Sequence, residues 1–310
     1  MSKSISGVGG SLTALANPFF EQRVDSNTLA RMAERQIDRG TAGLIVCGST
    51  GEASSLTQSE YARAVQTVVE AANGRVPVIA GCTAQSSTVA VALGNEAATA
   101  GADALLCAVP PYVKPTQGGI FAHIRAIAQT TDVPVVVYDV PSRSGVGIHD
   151  DTVVRLRDAD LIVGIKDATA DVSRPVRLRR RCGEGFMQWS GDDATAPAHR
   201  AMGGIGCISV TANVTPALCA LLHQAWNDPD MIRFGVLRDM LDPLHAALFV
   251  ESNPIPVKAA LAQLGLCSDR VRPPLTRASV ATQQKLLSVM IPIMQAEEHA
   301  AHAPAMAMAS

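Results

Sequence analysis

Lys166 is the residue of this sequence most clearly placed to do chemistry. It closes the run Leu161-Ile162-Val163-Gly164-Ile165 and precedes Asp167. The chain has only five lysines among 26 basic residues, the rest being arginine, so lysine here is not a routine choice of positive charge. At the end of an apolar strand its ammonium enters a partly dry setting. Burial lowers an amine pKa and supplies the free base that imine formation with a carbonyl needs. A strand-end lysine can equally serve as an ion-pair partner of Asp167 or Asp139, and the neighbouring residues favour chemistry.

Tyr138 ends another apolar run, Pro134-Val135-Val136-Val137, and Tyr112 follows Pro110-Pro111. The chain holds only three tyrosines, and two of them stand where strands run out. A phenol beside an amine can shuttle protons through carbinolamine and imine steps; alone, Tyr138 would read as a core aromatic. Gly48-Ser49-Thr50-Gly51 offers backbone N–H groups and two hydroxyls, a small anion nest suited to a carboxylate or, alternatively, a plain strand-to-helix turn. It lacks the Gly-Lys-Ser/Thr ending of a phosphate loop. Arg143 lies in the loop Pro141-Ser142-Arg143-Ser144-Gly145, where it can fork onto a second carboxylate or simply face solvent. The arginines from Arg177 to Arg181 read as a solvated helix face.

These groups need a scaffold that presents strand ends together. Short apolar runs recur at Ser11–Ala16, Leu44–Cys47, Pro77–Ala80, Ala104–Cys107, Pro134–Tyr138, Leu161–Ile165, Phe186–Trp189 and Gly206–Ser209. Runs this length and this continuously apolar predict strands buried on both faces, hence parallel sheet. Helix signals lie between them. Thr57 and Glu60 form a capping box; Ser26 is set to cap Leu29 to Arg39, with Gly40 ending it. Ser86 or Ser87 opens a helix to Ala100, and further helices are expected over Gln117 to Thr130 and Asp171 to Arg181.

Eight strands alternating with helices permit a closed barrel or an open doubly wound sheet. The open sheet advertises a glycine-rich loop after its first strand, whereas Ala16-Asn17-Pro18-Phe19 follows here. The expected fold is a (β/α)₈ TIM barrel over 1–225. After Ser209 the rhythm stops. Helical patterns at Asp230 to Val250, Pro256 to Leu264 and Thr282 to Glu297 make a C-terminal helical appendage over 226–298, with a frayed tail at 299–310. In a barrel, functional groups gather at the C-terminal strand ends, where the residues above fall.

Composition narrows the function. With 310 residues, 47% hydrophobic and 17% charged, the chain supports one large core. A net charge of −2 creates no field for nucleic acid or anionic membrane. The start of the chain has no apolar signal segment, and no stretch nears ~18 apolar residues, so neither export nor a membrane span is expected. Seven cysteines without C-x-x-C spacing suit a reducing cytoplasm. No H-E-x-x-H or Cys/His cluster has metal spacing. Neither a metal nor another cofactor is expected, and a zinc-type aldolase is disfavoured.

Several segments together resemble the dihydrodipicolinate synthase and N-acetylneuraminate lyase superfamily of pyruvate-dependent class I aldolases. They are Gly48-Ser49-Thr50-Gly51-Glu52, Tyr138-Asp139-Val140-Pro141-Ser142-Arg143-Ser144-Gly145, Gly164-Ile165-Lys166-Asp167, Ser190-Gly191-Asp192-Asp193, Ile208-Ser209-Val210-Thr211-Ala212-Asn213 and Asn253-Pro254-Ile255-Pro256-Val257-Lys258. In order and spacing they cover roughly Ser11 to Pro274. The resemblance implies that Lys166 forms a Schiff base with pyruvate. It implies a proton relay of Thr50, Tyr138 and Tyr112, the last reaching in from a neighbouring subunit. Ser49 and Thr50 would hold the pyruvate carboxylate, and Gly191 and Ile208 would line its site through their backbone. Arg143 would bind the carboxylate of a small aldehyde, L-aspartate semialdehyde, in the diaminopimelate route to lysine. The implied assembly is a homotetramer, a dimer of dimers.

Departures from the superfamily pattern matter too. Asp139 stands where Asn is common, which keeps open another pyruvate-dependent aldolase or lyase acting on a 2-keto acid or sugar acid. A catalytically silent barrel sensing a carboxylate is a third reading, disfavoured by the intact lysine, tyrosines and Thr50. Pro111 replaces an aromatic often present in lysine-inhibited members. Gln58, Tyr61, Gln85 and Val89 occupy positions where those members place polar lysine-binding groups. Weak or absent feedback inhibition by lysine is expected.

Overall fold

The computed structural model describes residues 5–302. Eight parallel strands close into a barrel in which each strand pairs with its neighbours in chain order and the last pairs with the first. They are β1 Gly10–Ala14, β2 Gly43–Val46, β3 Val78–Gly81, β4 Ala104–Ala108, β5 Val135–Asp139, β6 Gly164–Asp167, β7 Met187–Ser190 and β8 Gly206–Ser209. Each of the eight expected runs carries one strand. The sixth begins three residues inside its run, because the Leu161 amide bonds back to the Leu156 carbonyl and ends the preceding helix first.

The strands are apolar throughout because both faces are covered. Leu12, Ile45, Ile79, Leu106, Val136 and Trp189 fill the barrel. The alternate residues, such as Leu44, Val46, Leu105 and Val137, pack outward against the helices. This two-residue alternation decides which side chains can reach the mouth of the barrel.

The helices follow their caps. Thr57 and Glu60 make the expected box ahead of the helix Gln58–Ala72. The first helix, Ser26–Asp38, is capped one residue earlier than expected, by Asp25, whose carboxylate accepts the Thr28 amide at 3.0 Å. The helix expected from Asp171 starts at Arg174 and runs to Cys182; Asp171 instead closes a turn by accepting the Ser173 amide at 3.1 Å. The β/α rhythm does not stop at Ser209. A helix Pro216–Asn227 completes the barrel. It opens on an unbroken apolar run, Pro216 to Leu222, which masks its period.

Three further helices, Met231–Ala247, Ile255–Gln263 and Val280–His302, form the C-terminal region. Leu244, Leu261, Leu286 and Met290 share a core with Ala16, Met32, Val210 and Val214 of the barrel. Glu297, fully buried, accepts the amides of Ala217 and Leu218 at 3.2 and 3.0 Å and the Arg39 guanidinium at 2.9 Å. The last helix continues through His302, past the boundary expected at 298; residues 303–310 of the expected tail lie outside the described residues.

Candidate active site

Strand alternation sorts four neighbouring residues into two pairs. Tyr138 and Lys166 are register partners on β5 and β6, as are Asp139 and Asp167. Tyr138 and Lys166 turn inward, and Lys166 Nζ lies 4.2 Å from the centroid of the Tyr138 ring. Asp139 and Asp167 turn outward, where Arg174 Nη1 meets Asp139 Oδ2 at 2.7 Å and Asp167 Oδ2 at 3.4 Å. The two acids that could have claimed Lys166 as a structural ion-pair partner are therefore occupied behind the sheet. Asp139 also faces away from the barrel mouth, so its departure from Asn does not alter the surface a substrate meets.

Lys166 is 6% exposed. Burial pulls its pKa down to about 8, with Arg143 pushing the same way and Cys207 and Asp193 opposing. A buried ammonium loses hydration it cannot replace, so the neutral amine gains. Burial moves the Tyr138 phenol in the other direction, up to about 12. At neutral pH the pair is thus a lysine still mainly ammonium, with a far larger amine fraction than an exposed lysine, beside a protonated phenol. Gly191 makes room for the lysine, since a Cβ there would lie 3.1 Å from Lys166 Cε and 3.0 Å from the Ala168 Cβ.

The loop after β2 is built as a turn. The amides of Gly51, Glu52 and Ala53 bond back to the carbonyls of Gly48 and Ser49, which leaves the amides of Ser49 and Thr50 outside the turn's own bonds. Gly81 is required beneath it, because a Cβ there would sit 2.2 Å from the Cys47 carbonyl oxygen. Thr50 is buried, and its Oγ1 accepts from Asn253 Nδ2 at 3.0 Å. The carbonyl of Asn253 in turn accepts from Arg143 Nη2 at 3.0 Å. A cavity of about 910 Å³ has Ser49, Tyr138, Arg143 and Asn253 in its wall, while Thr50 and Lys166 lie behind that lining. Ile208 lies within the barrel core as the partner of Leu12.

Tyr112 stands apart from this assembly. It is 85% exposed and takes the left-handed conformation, φ 72°, so its ring projects from the surface and not into the chain's own cavity.

Several residues around the site carry little signal in the sequence. Asn253 joins Thr50 to Arg143 from the C-terminal region, and its Oδ1 is buried without a partner. Arg174 is hidden as the first of several arginines in one helix. Glu52 and Lys258 form a buried ion pair at 2.8 Å, with Lys258 Nζ also 4.0 Å from the Phe19 ring centroid. Their only sequence signal was a place in the quoted segments.

A parallel (β/α)₈ barrel with an inward lysine of lowered pKa beside a phenol has the build of a class I aldolase type enzyme. The chain belongs to the dihydrodipicolinate synthetase family, which matches residues 7–291. It is 46% identical to a 4-hydroxy-tetrahydrodipicolinate synthase of Parvibaculum lavamentivorans, over 91% of this chain and 97% of that protein. It is 45% identical to one from Rhodospirillum centenum over the same shares, 91% and 97%. Among solved structures, the 4-hydroxy-tetrahydrodipicolinate synthase of the methanotroph Methylacidiphilum fumariolicum SolV superposes with a TM-score of 0.91. It is 34% identical, and the match covers 94% of this chain and 99% of that one. Among the described residues no helix is long and apolar enough to cross a membrane.

Proposed function

We propose that this chain condenses pyruvate with L-aspartate 4-semialdehyde to 4-hydroxy-tetrahydrodipicolinate, through a Schiff base on Lys166. The observation that carries the reading is the inward pair of Lys166 and Tyr138, 4.2 Å from amine to ring centroid, in a family whose curated members bear that activity.

The residues divide the work as follows. The pyruvate carboxylate sits at Ser49 and Thr50, near the amides left outside the turn. The Lys166 amine adds to the pyruvate ketone carbon; Tyr138 delivers the proton that lets water leave and the imine form. Loss of a methyl proton gives the enamine, whose carbon adds to the aldehyde. The amino group of the second substrate then attacks the imine carbon, closes the ring and releases the Lys166 amine. One water is lost overall. Thr50 and Tyr112 complete the proton relay with Tyr138. Arg143 holds the carboxylate of the semialdehyde, and Gly191 and Ile208 line the pyruvate site through their backbone.

Tyr112 fills its role from a neighbouring subunit in a homotetramer built of two dimers. Its outward projection supports this, since a side chain so exposed does not enter its own chain's cavity and can meet a site only on another copy. The cytoplasm is the proposed place of work, supported by seven unpaired thiols, six of them buried.

Borohydride reduction in the presence of pyruvate tests the central step. A lactyl-sized mass should map to Lys166; an adduct on another lysine, or none, sinks the reading. A coupled assay with aspartate semialdehyde and a dihydrodipicolinate reductase tests the second substrate. Sedimentation tests the tetramer.

A further inference from the structure

Directly behind the Tyr138–Lys166 pair lies a charge cluster that no step above uses. Arg174 is 3% exposed. Its Nη1 reaches Asp139 at 2.7 Å and Asp167 at 3.4 Å, its Nε reaches Asp150 at 2.9 Å, and its Nη2 donates to the Ile148 carbonyl at 2.6 Å. Every one of these partners is fixed in turn. Asp139 Oδ2 also accepts the Ile148 amide at 3.1 Å. Asp167 Oδ1 accepts from Thr169, amide at 2.9 Å and hydroxyl at 2.7 Å. Asp150 is shared with Arg177 at 2.9 Å.

Asp139 and Asp167 face one another across adjacent strands. Like charges so placed repel and would splay the strands. One guanidinium held between them reverses the sign of that force. Asp139 Oδ1 has no partner of its own, so this buried carboxylate depends on Arg174 and the Ile148 amide. The next residues back along the strands are Tyr138 and Lys166 themselves. What sets the spacing of the two acids therefore sets the spacing of the reacting pair.

We propose that Arg174 is a positioning residue for imine formation, clamping Asp139 of β5 to Asp167 of β6 so that Tyr138 and Lys166 stay aligned. The inference rests on Lys166 being the imine-forming residue. It also gives Asp139 a role: a carboxylate binds a guanidinium by a charge-assisted bond that an Asn amide cannot match. The departure from Asn tightens the clamp and leaves the substrate surface unchanged.

The test combines steady-state kinetics with the rate of borohydride trapping of pyruvate on wild type, Arg174→Met, Arg174→Lys and Asp139→Asn. Arg174→Met should lower kcat and the trapping rate about 10- to 100-fold, the cost of a misplaced reacting group. KM for pyruvate should stay within about threefold, because the carboxylate seat at Ser49 and Thr50 is untouched. Arg174→Lys should recover part of the loss, and Asp139→Asn should lower kcat about threefold. A folded Arg174→Met protein with kcat within about twofold of wild type, or with a changed KM alone, overturns the inference. Should Arg174→Met not fold, the other two variants decide: reduced kcat at steady KM upholds the clamp, and unchanged kcat removes it. If wild type itself gives no adduct at Lys166, the failure lies with the reading of the site. A normal wild-type adduct with unaltered variants rejects only the clamp.

Discussion

Lys166 Nζ and the ring of Tyr138 lie 4.2 Å apart on adjacent strands, and burial moves their pKa values in opposite directions. The lysine falls to about 8 and the tyrosine rises to about 12. Imine formation needs the free amine, so the amine fraction sets the acid limb of the pH profile. The kcat/KM for pyruvate should climb from neutral pH and level off above about pH 8, the value to which Lys166 is lowered. A flat profile through that range would contradict the assignment. Tyr138→Phe should leave the amine in place yet slow imine formation by about 10²- to 10⁴-fold, the usual weight of a proton donor. Stopped-flow trapping reads both effects.

The proposed role of Arg143 separates the two substrates. It donates to the Asn253 carbonyl at 3.0 Å and shares the cavity wall with Ser49. Arg143→Ala should still trap pyruvate on Lys166. Its KM for the semialdehyde should rise about 10- to 100-fold, the value of one charge-assisted contact. Equal losses for both substrates would place Arg143 elsewhere in the reaction.

The Glu52–Lys258 pair should matter to stability more than to rate. Both side chains are buried and 2.8 Å apart, and burial lowers the Lys258 pKa even against the pull of Glu52. Lys258→Met leaves the buried Glu52 carboxylate with only the Arg272 amide, at 2.8 Å, and no countercharge, which should cost about 3–5 kcal/mol in denaturant unfolding. The double change Glu52→Gln with Lys258→Met should recover part of that loss. A single variant as stable as wild type would show that the pair is solvated.

Lysine should not inhibit this enzyme at sub-millimolar concentration. Val89 is half-exposed in the cavity wall, beside Gln58 and Gln85, and offers no carboxylate to an ammonium. The Tyr61 hydroxyl is committed to the Leu93 carbonyl at 3.3 Å. Initial rates titrated with lysine check this directly.

The sequence carried what is local. Strand-end residues, the Thr57–Glu60 box and the rarity of lysine are all features of short segments, and they led to Lys166, Tyr138 and the Ser49-Thr50 loop. What it concealed is long-range. Asn253 meets Thr50 across 203 positions, and Arg174 joins two acids that look like possible partners for Lys166 when strand faces are unknown. Pro216–Asn227 shows no clear period in the sequence because its opening run, Pro216 to Leu222, is apolar without a break.

Glu297 ties together the helices that begin and end the barrel's circuit, holding Arg39 just past the first and the opening amides of the eighth. The second of these, Pro216–Asn227, follows β8 and packs on β1, covering the seam where a linear chain must meet itself to become a ring. The latch on that seam is carried by the last helix. During synthesis the ring can therefore be latched from outside only once the chain has left the ribosome as far as Glu297, well after its last strand, Gly206–Ser209.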